Sequence, residues 1–542
     1  MPIRLQRAWP VLALSAPALA GYWWYSSREQ TFDLPVRVRG PDGKAKMSTR
    51  TLPLMSMQNV NARIREHANT HTVTRPGITW HHSTACVAAN DPIEDATAHQ
   101  VIRRDEGDGD LLFFTVFDGH SGFYTSRLLS RVLINAVALE LNALDSPKKA
   151  DWLSGFKNTL WSTKPTKPDV DIHVNASYPN APPAGDPLRV ARAIQTAFTS
   201  LDAELLAAPV RVLASELKDT PKDSTAIPDL TKHPLALPAM LPAISGSCAI
   251  LAMLDTAHRN LYVACTGDSR AVAGVWVPEP ESEGKGTWRV EVLSEDQTGR
   301  NPSEVARMRS EHPADEAADV IRNGRVLGGL EPSRAFGDAR YKWSRNLQET
   351  LSRAFLAGTE YVMSPPRSGF KTPPYVTARP VVTHRTLSLP GSESESESSP
   401  QQGTLRFLVL ATDGLWDELD SADVVRLVGG HLAGLSGSVP KSKLSELVPT
   451  SSPSATLQGK GRAARQSREQ EKGEWAFVDE NPAAHLIRNA FGGADEGALR
   501  RLLSIPAPLA RRHRDDVSVT VVWWEEGPNG EKTEIREVKA KL

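Results

Sequence analysis

Residues 111–122 read Leu-Leu-Phe-Phe-Thr-Val-Phe-Asp-Gly-His-Ser-Gly, an apolar run that stops at Asp118-Gly119. Its aromatic and β-branched residues are typical of a strand that is buried in a sheet. After Gly122 the apolar residues recur at helical spacing, which predicts a helix directly behind the strand. The stretch therefore predicts a buried strand that presents Asp118 at its end.

Two other apolar runs repeat this arrangement far away in the sequence. Residues 406–412 precede Asp413-Gly414, and residues 517–524 follow Asp515-Asp516. In an antiparallel sheet the end of one strand lies beside the start of its neighbour. We therefore expect these aspartates to meet Asp118 at one rim.

A group of carboxylates at one rim indicates a metal site. Unpaired carboxylates repel and raise each other's pKa, and divalent ions such as Mg²⁺ or Mn²⁺ remove that cost because they prefer oxygen ligands. Glycine permits close approach, so the carbonyl of Gly119 is a candidate ligand, and His120 is a candidate proton donor. Glu94 and Asp95 add two acids upstream. A single Asp-Gly pair is usually a turn, and a single acidic pair is usually a solvated face. The prediction of a metal site therefore depends on all of these residues occurring together.

Seven segments in this order resemble the metal-dependent protein phosphatases of the 2C type. The matching segments are 93–95, 116–122, 245–249, 266–270, 332–338, 411–417 and 514–519. The resemblance implies an α+β fold, a four-layer α-β-β-α sandwich in which helices flank two antiparallel sheets. It also implies hydrolysis of phosphoserine and phosphothreonine on proteins.

The same resemblance assigns roles to single residues. The implied metal ligands are Glu94, Asp118, Gly119, Asp413, Asp515 and, for a third and weaker ion, Asp268. Asp118 would bridge two ions, Mg²⁺ or Mn²⁺. The resemblance also implies two catalytic residues, Asp118 and the general acid His120. Asp338 is expected to support the site and Arg334 to be structural.

One position departs from the family pattern. Many relatives carry an arginine that grips substrate phosphate where this chain has Asn90, and a neutral amide cannot form the bidentate contact. Asn90 is thus the candidate substrate-binding position, and its surroundings resemble the mitochondrial pyruvate dehydrogenase phosphatase branch. That branch implies the E1α subunit of the dehydrogenase complex as substrate. The alternatives are other substrates within the family, a folded binding module with weak or no catalysis, and a scaffold.

The rest of the chain is read as one catalytic domain with additions. We predict a targeting segment over 1–30, a linker over 31–54, a phosphatase domain over 55–528 and a tail over 529–542. Pro-rich or polar composition predicts disordered insertions near 143–187, 217–243, 391–403 and 437–475.

Net charge and cysteine spacing limit the kinds of partner and metal ion that the chain is expected to bind. The net charge of −1 gives no field that favours nucleic acid. The three cysteines, Cys86, Cys248 and Cys265, show no metal-ligand spacing and are interpreted as buried thiols.

Both termini carry targeting signals. The first 28 residues are basic and free of acids and close in Tyr22-Trp23-Trp24-Tyr25, which favours a mitochondrial presequence with a membrane anchor over a cleaved secretory signal peptide. The final Ala540-Lys541-Leu542 is a variant of a peroxisomal address, which chance also produces. We expect a mitochondrial protein, in the matrix or at the inner membrane, with a secondary peroxisomal pool.

Overall fold

The computed structural model describes residues 30–39, 44–103, 109–145, 171–174, 185–218, 227–279, 285–387, 403–451 and 473–527. The predicted targeting segment, the predicted tail and nearly all of the insertion near 391–403 lie outside these residues. Among the helices described, none is long and apolar enough to cross a bilayer.

Twenty strands are described. They are β1 Thr31–Arg39, β2 Ala45–Pro53, β3 Asn69–Arg75, β4 Ile78–Val87, β5 Ala96–Arg103, β6 Asp110–His120, β7 Ile172–His173, β8 Gly246–Asp255, β9 Asn260–Thr266, β10 Arg270–Pro278, β11 Gly286–Val292, β12 Ile321–Arg322, β13 Arg325–Val326, β14 Phe336–Gly337, β15 Val381–Thr386, β16 Thr404–Ala411, β17 Gly437–Pro440, β18 Thr450–Ser451, β19 Glu474–Phe477 and β20 Val517–Glu526.

Thirteen α-helices accompany them in the described ranges. They are α1 Met57–Arg65, α2 Tyr124–Asp145, α3 Pro187–Lys218, α4 Ala236–Ile244, α5 Pro302–Glu311, α6 Ala314–Ala317, α7 Ala339–Lys342, α8 Arg345–Phe355, α9 Asp413–Trp416, α10 Ser421–Leu432, α11 Lys441–Leu447, α12 Pro482–Ala490 and α13 Glu496–Ser504. A 3₁₀ turn over Ala510–Arg512 leads into β20.

Two seven-stranded sheets carry the fold, so the expected α+β class is confirmed. The first sheet has the order β18-β11-β10-β16-β20-β4-β3, and the second has β5-β6-β8-β9-β15-β7 with β14 paired to β8. All ten residues of β8 are buried, as expected for a strand covered on both faces. The last strand, β20, lies inside its sheet between β16 and β4.

Two pairings depart from the expected antiparallel sheets. Strand β18 runs parallel to β11, and β7 runs parallel to β15. Both are two-residue strands at sheet edges. A parallel pair needs a long connection, and each of these strands lies in a segment read from sequence as an insertion.

Three apolar clusters account for most of the core. One joins side chains of both sheets, including Trp80 and Val522 from the first and Phe114 and Ile250 from the second. Another packs α10 and α12 against the first sheet, and a third packs α2 and α3 against the second. The helix predicted after Gly122 is thus present as α2.

The predicted linker over 31–54 is wrong for the described residues of that range. Strands β1 and β2 pair antiparallel there from Thr31 with Pro53 to Arg39 with Ala45. Leu34 and Leu52 pack with Ile505, which gives the ribbon an apolar anchor. The many polar residues of β1 and β2 face solvent, so their composition resembled that of a linker.

The predicted insertions are also partly structured. Helix α3 runs to Lys218 and α4 begins at Ala236, within the range 217–243. Within 437–475, β17 pairs with β19 and α11 follows β17. Of the three cysteines, Cys248 and Cys265 are buried thiols as predicted, whereas Cys86 is only partly buried.

Candidate active site

Asp118 lies near the end of β6, in the middle of the site. It stands opposite Cys248 of β8, and Asp268 follows β9. One ligand atom from each of Asp118, Cys248 and Asp268 lies within 4.8 Å of the others. Burial first, and then the two carboxylates, raise the pKa of the Cys248 thiol, whose Sγ donates to Oδ1 of Asp268 at 3.1 Å. Cys248 therefore acts as a hydrogen-bond donor, and the two aspartates are the oxygen ligands on offer.

Asp413 and Asp515 come from neighbouring strands of the first sheet. Asp413 opens α9 directly after β16, and Asp515 precedes β20. The two strands are antiparallel, with Ala411 opposite Val519. The end of one therefore lies beside the start of the other, as the sequence predicted, although Asp413 belongs to a helical turn.

The electrostatics show that the two sheets bring their acids to one rim. Burial first, and then Asp413, Asp95, Asp268 and Asp515, raise the pKa of Asp118 well above its ordinary value. Burial first, and then Asp413, raise the pKa of Asp515 to about 7. Carboxylates from both sheets thus repel one another across a buried gap.

Glu94 reaches the site from the loop before β5. Its Oε1 accepts a hydrogen bond from the Gly122 N–H at 2.5 Å. Its own backbone carbonyl packs against Gly119 so closely that a Cβ at position 119 would collide with it. Burial raises the pKa of Glu94 and the Gly122 N–H lowers it, with burial the larger effect. Gly119 is therefore needed for this approach, and its role as a carbonyl ligand stays a prediction.

Asp516 organises the Glu94 loop and was missed as a site residue. Its Oδ1 accepts from the Ala89 and Asn90 amides at 2.5 and 2.9 Å, and its Oδ2 accepts from the Glu94 amide at 2.9 Å. These bonds join β20 to a loop more than 400 positions earlier in the chain. The adjacent pair Asp515-Asp516 was the available signal, but only its first member was assigned a role.

Asn90 also turns toward this carboxylate network. Its side-chain amide donates to Oε2 of Glu94 at 3.1 Å and to Oδ2 of Asp516 at 2.9 Å. An amide NH₂ has two hydrogens, and these two bonds use both. The structure thus places Asn90 as a support of Glu94, and a substrate contact by Asn90 stays a prediction.

Asp95 is, after Asp516, a second acid of the site to which the sequence analysis assigned no role. It is buried, and its Oδ2 accepts from the Thr412 hydroxyl at 3.0 Å, next to Asp413. Its Oδ1 is buried and has no hydrogen-bond partner in the part of the chain that the structure describes. Burial first, and then Asp516 and Asp515, raise its pKa. A buried carboxylate oxygen left unpaired here is what a cation or its water shell would satisfy.

His120 is held by an acid from the second sheet. Its Nε2 lies 2.7 Å from Oδ2 of Asp338, which caps α7. Burial alone would lower the pKa of His120, but the Asp338 carboxylate, together with Asp268 and Glu94, raises it. A Cβ at Gly246 would collide with both partners, so the pair also requires this glycine. These carboxylates therefore favour the protonated form of the imidazole, the form that an acid catalyst needs.

Arg511 places a positive charge at the same rim. It lies in the 3₁₀ turn before β20 and forms an ion pair with Asp515, four residues later. Its side chain is 44% exposed, so it borders solvent as well as the acids. No role was given to this residue from sequence, although an arginine one helical turn before a site aspartate was the available signal.

Arg334, by contrast, lies within the protein interior. It is 1% exposed and pairs with Glu304 at 2.6 Å and Asp171 at 3.0 Å. This environment agrees with the structural role expected for it.

The residues at the rim fit hard divalent cations. Their donors are carboxylate and carbonyl oxygens, the ligands that Mg²⁺ and Mn²⁺ prefer. The raised pKa values of Asp118 and Asp515 record a repulsion that such cations would relieve. Glu94, Asp118, Gly119, Asp413, Asp515 and Asp268 would be the residues that hold them.

Comparison with known proteins agrees with this geometry. A family model described as protein phosphatase 2C matches residues 213–436. This stretch includes Asp268, Asp338 and Asp413, whereas Glu94 and Asp118 precede it.

Three relatives are similar to this chain over most of its length. The chain is 33% identical over 487 residues to a protein phosphatase 2C homolog of Schizosaccharomyces pombe, covering 89% of this chain and 88% of that protein. It is 32% identical over 487 residues to the mitochondrial pyruvate dehydrogenase (acetyl-transferring) phosphatase 1 of Saccharomyces cerevisiae, covering 87% and 73%. The human protein of the same name is 32% identical over 467 residues, covering 80% and 75%.

Proposed function

Because this chain belongs to the protein phosphatase 2C family and is a protein serine/threonine phosphatase, we propose that it activates the mitochondrial pyruvate dehydrogenase complex by dephosphorylating its E1α subunit. Two of the relatives reported above are named as phosphatases of that dehydrogenase and share 32% of their aligned residues with this chain. The alignments span most of both chains.

The observation that carries the catalytic part is the burial of Asp118 among four other carboxylates from both sheets. Two Mg²⁺ or Mn²⁺ ions held there, with a third at Asp268, would supply an activated water and offset the charge of the phosphate group. Asp118 would be one of the residues that hold these ions. Asp516 and Asn90 would fix the position of Glu94 before any ion arrives, which reduces the cost of ordering the loop.

His120 would protonate the departing serine or threonine oxygen. With Nε2 bound to Asp338, the proton on Nδ1 is the one available for transfer. Asp338 holds the ring and favours its charged form, so it acts through His120 as a positioning residue. His120 would thus transfer the proton while Asp338 holds its ring, and these two roles require the side chains to be in contact although they come from separate segments.

Arg511 would contact the substrate phosphate. Its guanidinium is permanently charged, partly exposed and already at the edge of the site. Occupation of Asp515 by a cation would free the guanidinium for a phosphate oxygen. The charge that Asn90 does not provide is thus available from Arg511.

The layer order of the fold belongs to the same proposal. The three apolar clusters support a helix, sheet, sheet, helix arrangement with the acids at the rim between the sheets. A carboxylate on one sheet is then close to its partners on the other sheet.

We also propose a mitochondrial location, supported by the names of the relatives and by the basic residues near the start of the sequence. Imaging of fusions with and without residues 1–30 tests it, and a cytosolic signal from both would contradict it. A peroxisomal pool that survives deletion of residues 540–542 would contradict the role of those residues.

The central experiment is a metal-dependent phosphatase assay on the purified protein without residues 1–30. Phosphorylated dehydrogenase complex is compared with generic phosphopeptides in Mg²⁺, in Mn²⁺ and in chelator. The proposal expects metal-dependent release of phosphate and preference for the dehydrogenase. Equal rates on all substrates would indicate another substrate within the family, and no release from any would indicate a binding module.

A further inference from the structure

Three histidines meet where the edges of the two large sheets come together. His71 of β3 and His82 of β4 face each other in the strand register, and His99 comes from β5. Strand β3 ends the first sheet and β5 ends the second. His99 pairs with Phe114, four positions from Asp118 along β6, which corresponds to about 13 Å at 3.3 Å per residue. The cluster is therefore separate from the carboxylate rim.

The three rings are close enough to share one ligand. Ring centroids are 4.7 Å apart for His71 and His82, 4.7 Å for His71 and His99, and 4.2 Å for His82 and His99. One nitrogen from each ring lies within 4.8 Å of the other two. A central point is then within about 2.8 Å of each nitrogen, whereas zinc–imidazole bonds are 2.0–2.1 Å long. The rings of His71 and His82 are stacked with 13° between their planes, so one of them must turn out of the stack before both nitrogens point at one ion. His71 and His99 are exposed residues, so their rings can turn toward solvent to make this change.

The buried histidine of the cluster, His82, has a ring nitrogen without a hydrogen-bond partner among the described residues. His82 is 6% exposed, and its Nε2 is buried without a hydrogen-bond partner among the described residues. Buried polar nitrogens are normally paired, so an unpaired one calls for an explanation. Burial, His99 and His71 lower the pKa of His82 to about 3, so its ring is neutral at physiological pH and has a lone pair to offer.

We propose that His71, His82 and His99 bind one zinc-type transition-metal ion. Imidazole suits Zn²⁺, whereas Mg²⁺ prefers oxygen, so this site and the carboxylate rim differ in the ions they select. Three histidines leave a fourth position for water, on the exposed side of the cluster. The ion would tie β3 and β4 of one sheet to β5 of the other, and would stabilise the folded chain because the unfolded chain lacks the assembled site.

Titration of the tag-free protein with Zn²⁺ in excess Mg²⁺ tests the proposal. The Mg²⁺ occupies the oxygen site, and removal of any polyhistidine tag eliminates a competing ligand. We expect one Zn²⁺ per chain by calorimetry, a higher melting temperature with Zn²⁺, and the visible absorption of a nitrogen-ligated ion when Co²⁺ replaces Zn²⁺. No zinc binding under these conditions would overturn the proposal.

Substitutions test whether these three histidines are the residues that bind Zn²⁺. The double variant His71→Asn/His99→Asn changes exposed residues and should weaken Zn²⁺ binding by at least about tenfold. His67→Asn, an exposed histidine outside the cluster, is the matched control and should bind as the unaltered chain does. Zinc binding that survives the double variant but is lost in Asp118→Asn would place the ion at the carboxylate rim and refute the histidine site.

Discussion

Nε2 of His120 lies 2.7 Å from Oδ2 of Asp338, and this carboxylate raises the pKa of the imidazole in spite of its burial. The histidine follows Asp118 and Gly119 in β6, whereas the aspartate follows β14, which pairs with β8 beside it. The proton donor is therefore positioned by an acid that reaches it through neighbouring strands.

Replacement of His120 should slow the chemical step and leave the metal site intact. We expect His120→Asn to lower kcat by about 10²–10⁴-fold on a phosphopeptide with an alkyl leaving group. An aryl phosphate, whose leaving group needs no proton, should lose much less. Mn²⁺ binding by calorimetry should be unchanged, and a parallel loss on both substrates would contradict the role of general acid.

Replacement of Asp118 should remove both metal binding and activity. Asp118→Asn keeps the size of the side chain but removes its charge, so we expect activity to fall by at least about 10³-fold, given the weight of electrostatic stabilisation. The affinity for Mn²⁺ should fall in parallel. Asp315→Asn, an exposed acid that pairs with Lys371, is the control. An Asp118 variant with full activity would refute the metal assignment.

Arg511 should matter for substrate binding more than for turnover. We expect Arg511→Gln to raise KM for a phosphopeptide about tenfold, the loss of one charge-assisted contact, with a smaller effect on kcat. Because Asp515 loses its ion-pair partner, the variant should also bind Mn²⁺ at least as tightly as the unaltered chain. Arg512→Gln, an exposed neighbour, is the control. An unchanged KM with tighter Mn²⁺ binding would reduce Arg511 to a counter-ion of Asp515.

Arg334 should be important for stability. Its guanidinium is buried and bonded to Glu304 and Asp171, so Arg334→Ala leaves Glu304 with Arg307 as its ion-pair partner and Asp171 with only the longer 3.7 Å contact to Arg379. The expected loss in the free energy of unfolding is about 3–5 kcal/mol, measured by denaturant titration. Arg353→Ala, in α8, serves as a control for the loss of an arginine. A loss below 1 kcal/mol, roughly the value of an exposed pair, would contradict this reading.

Acid should destabilise the fold through His485. Burial first, and then His431, lower the pKa of His485 to about 3, below its ordinary value of 6.5. The unfolded state therefore binds a proton first as the pH falls, and folded stability decreases between about pH 6.5 and pH 3. From pH 7 to pH 5 this residue should account for about 2 kcal/mol. The pH slope of the unfolding free energy should be shallower in His485→Gln, and equal slopes would contradict the prediction.

The rim of aspartates was predictable because it depends on local patterns. Apolar runs next to Asp118, Asp413 and Asp515 marked strand ends, and antiparallel pairing then brought those ends together. Asp516 and Arg511 were not predictable in the same way. Their roles depend on the path of a loop more than 400 positions away and on side-chain direction in a single turn, neither of which leaves a periodic signal.

The N-terminal ribbon of β1 and β2 is a part of the fold that the sequence predicted wrongly. Composition argued for a linker because most side chains of β1 and β2 face solvent. What orders them is the backbone pairing and two leucines against Ile505. The histidine cluster escaped notice for a similar reason, since His71, His82 and His99 come together only when two sheets are stacked.

The interior place of β20 has a consequence for synthesis on the ribosome. Strand β4 emerges early, but its partner β20 is the last strand described, and the two pair over ten residues. A nascent chain therefore presents an unpaired edge of β4 until β20 has been synthesised, a feature that favours aggregation and calls for chaperone protection. The same order delays assembly of the carboxylate rim until Asp515 and Asp516 have been synthesised. We expect a product truncated before Asp515 to be inert rather than an uncontrolled enzyme.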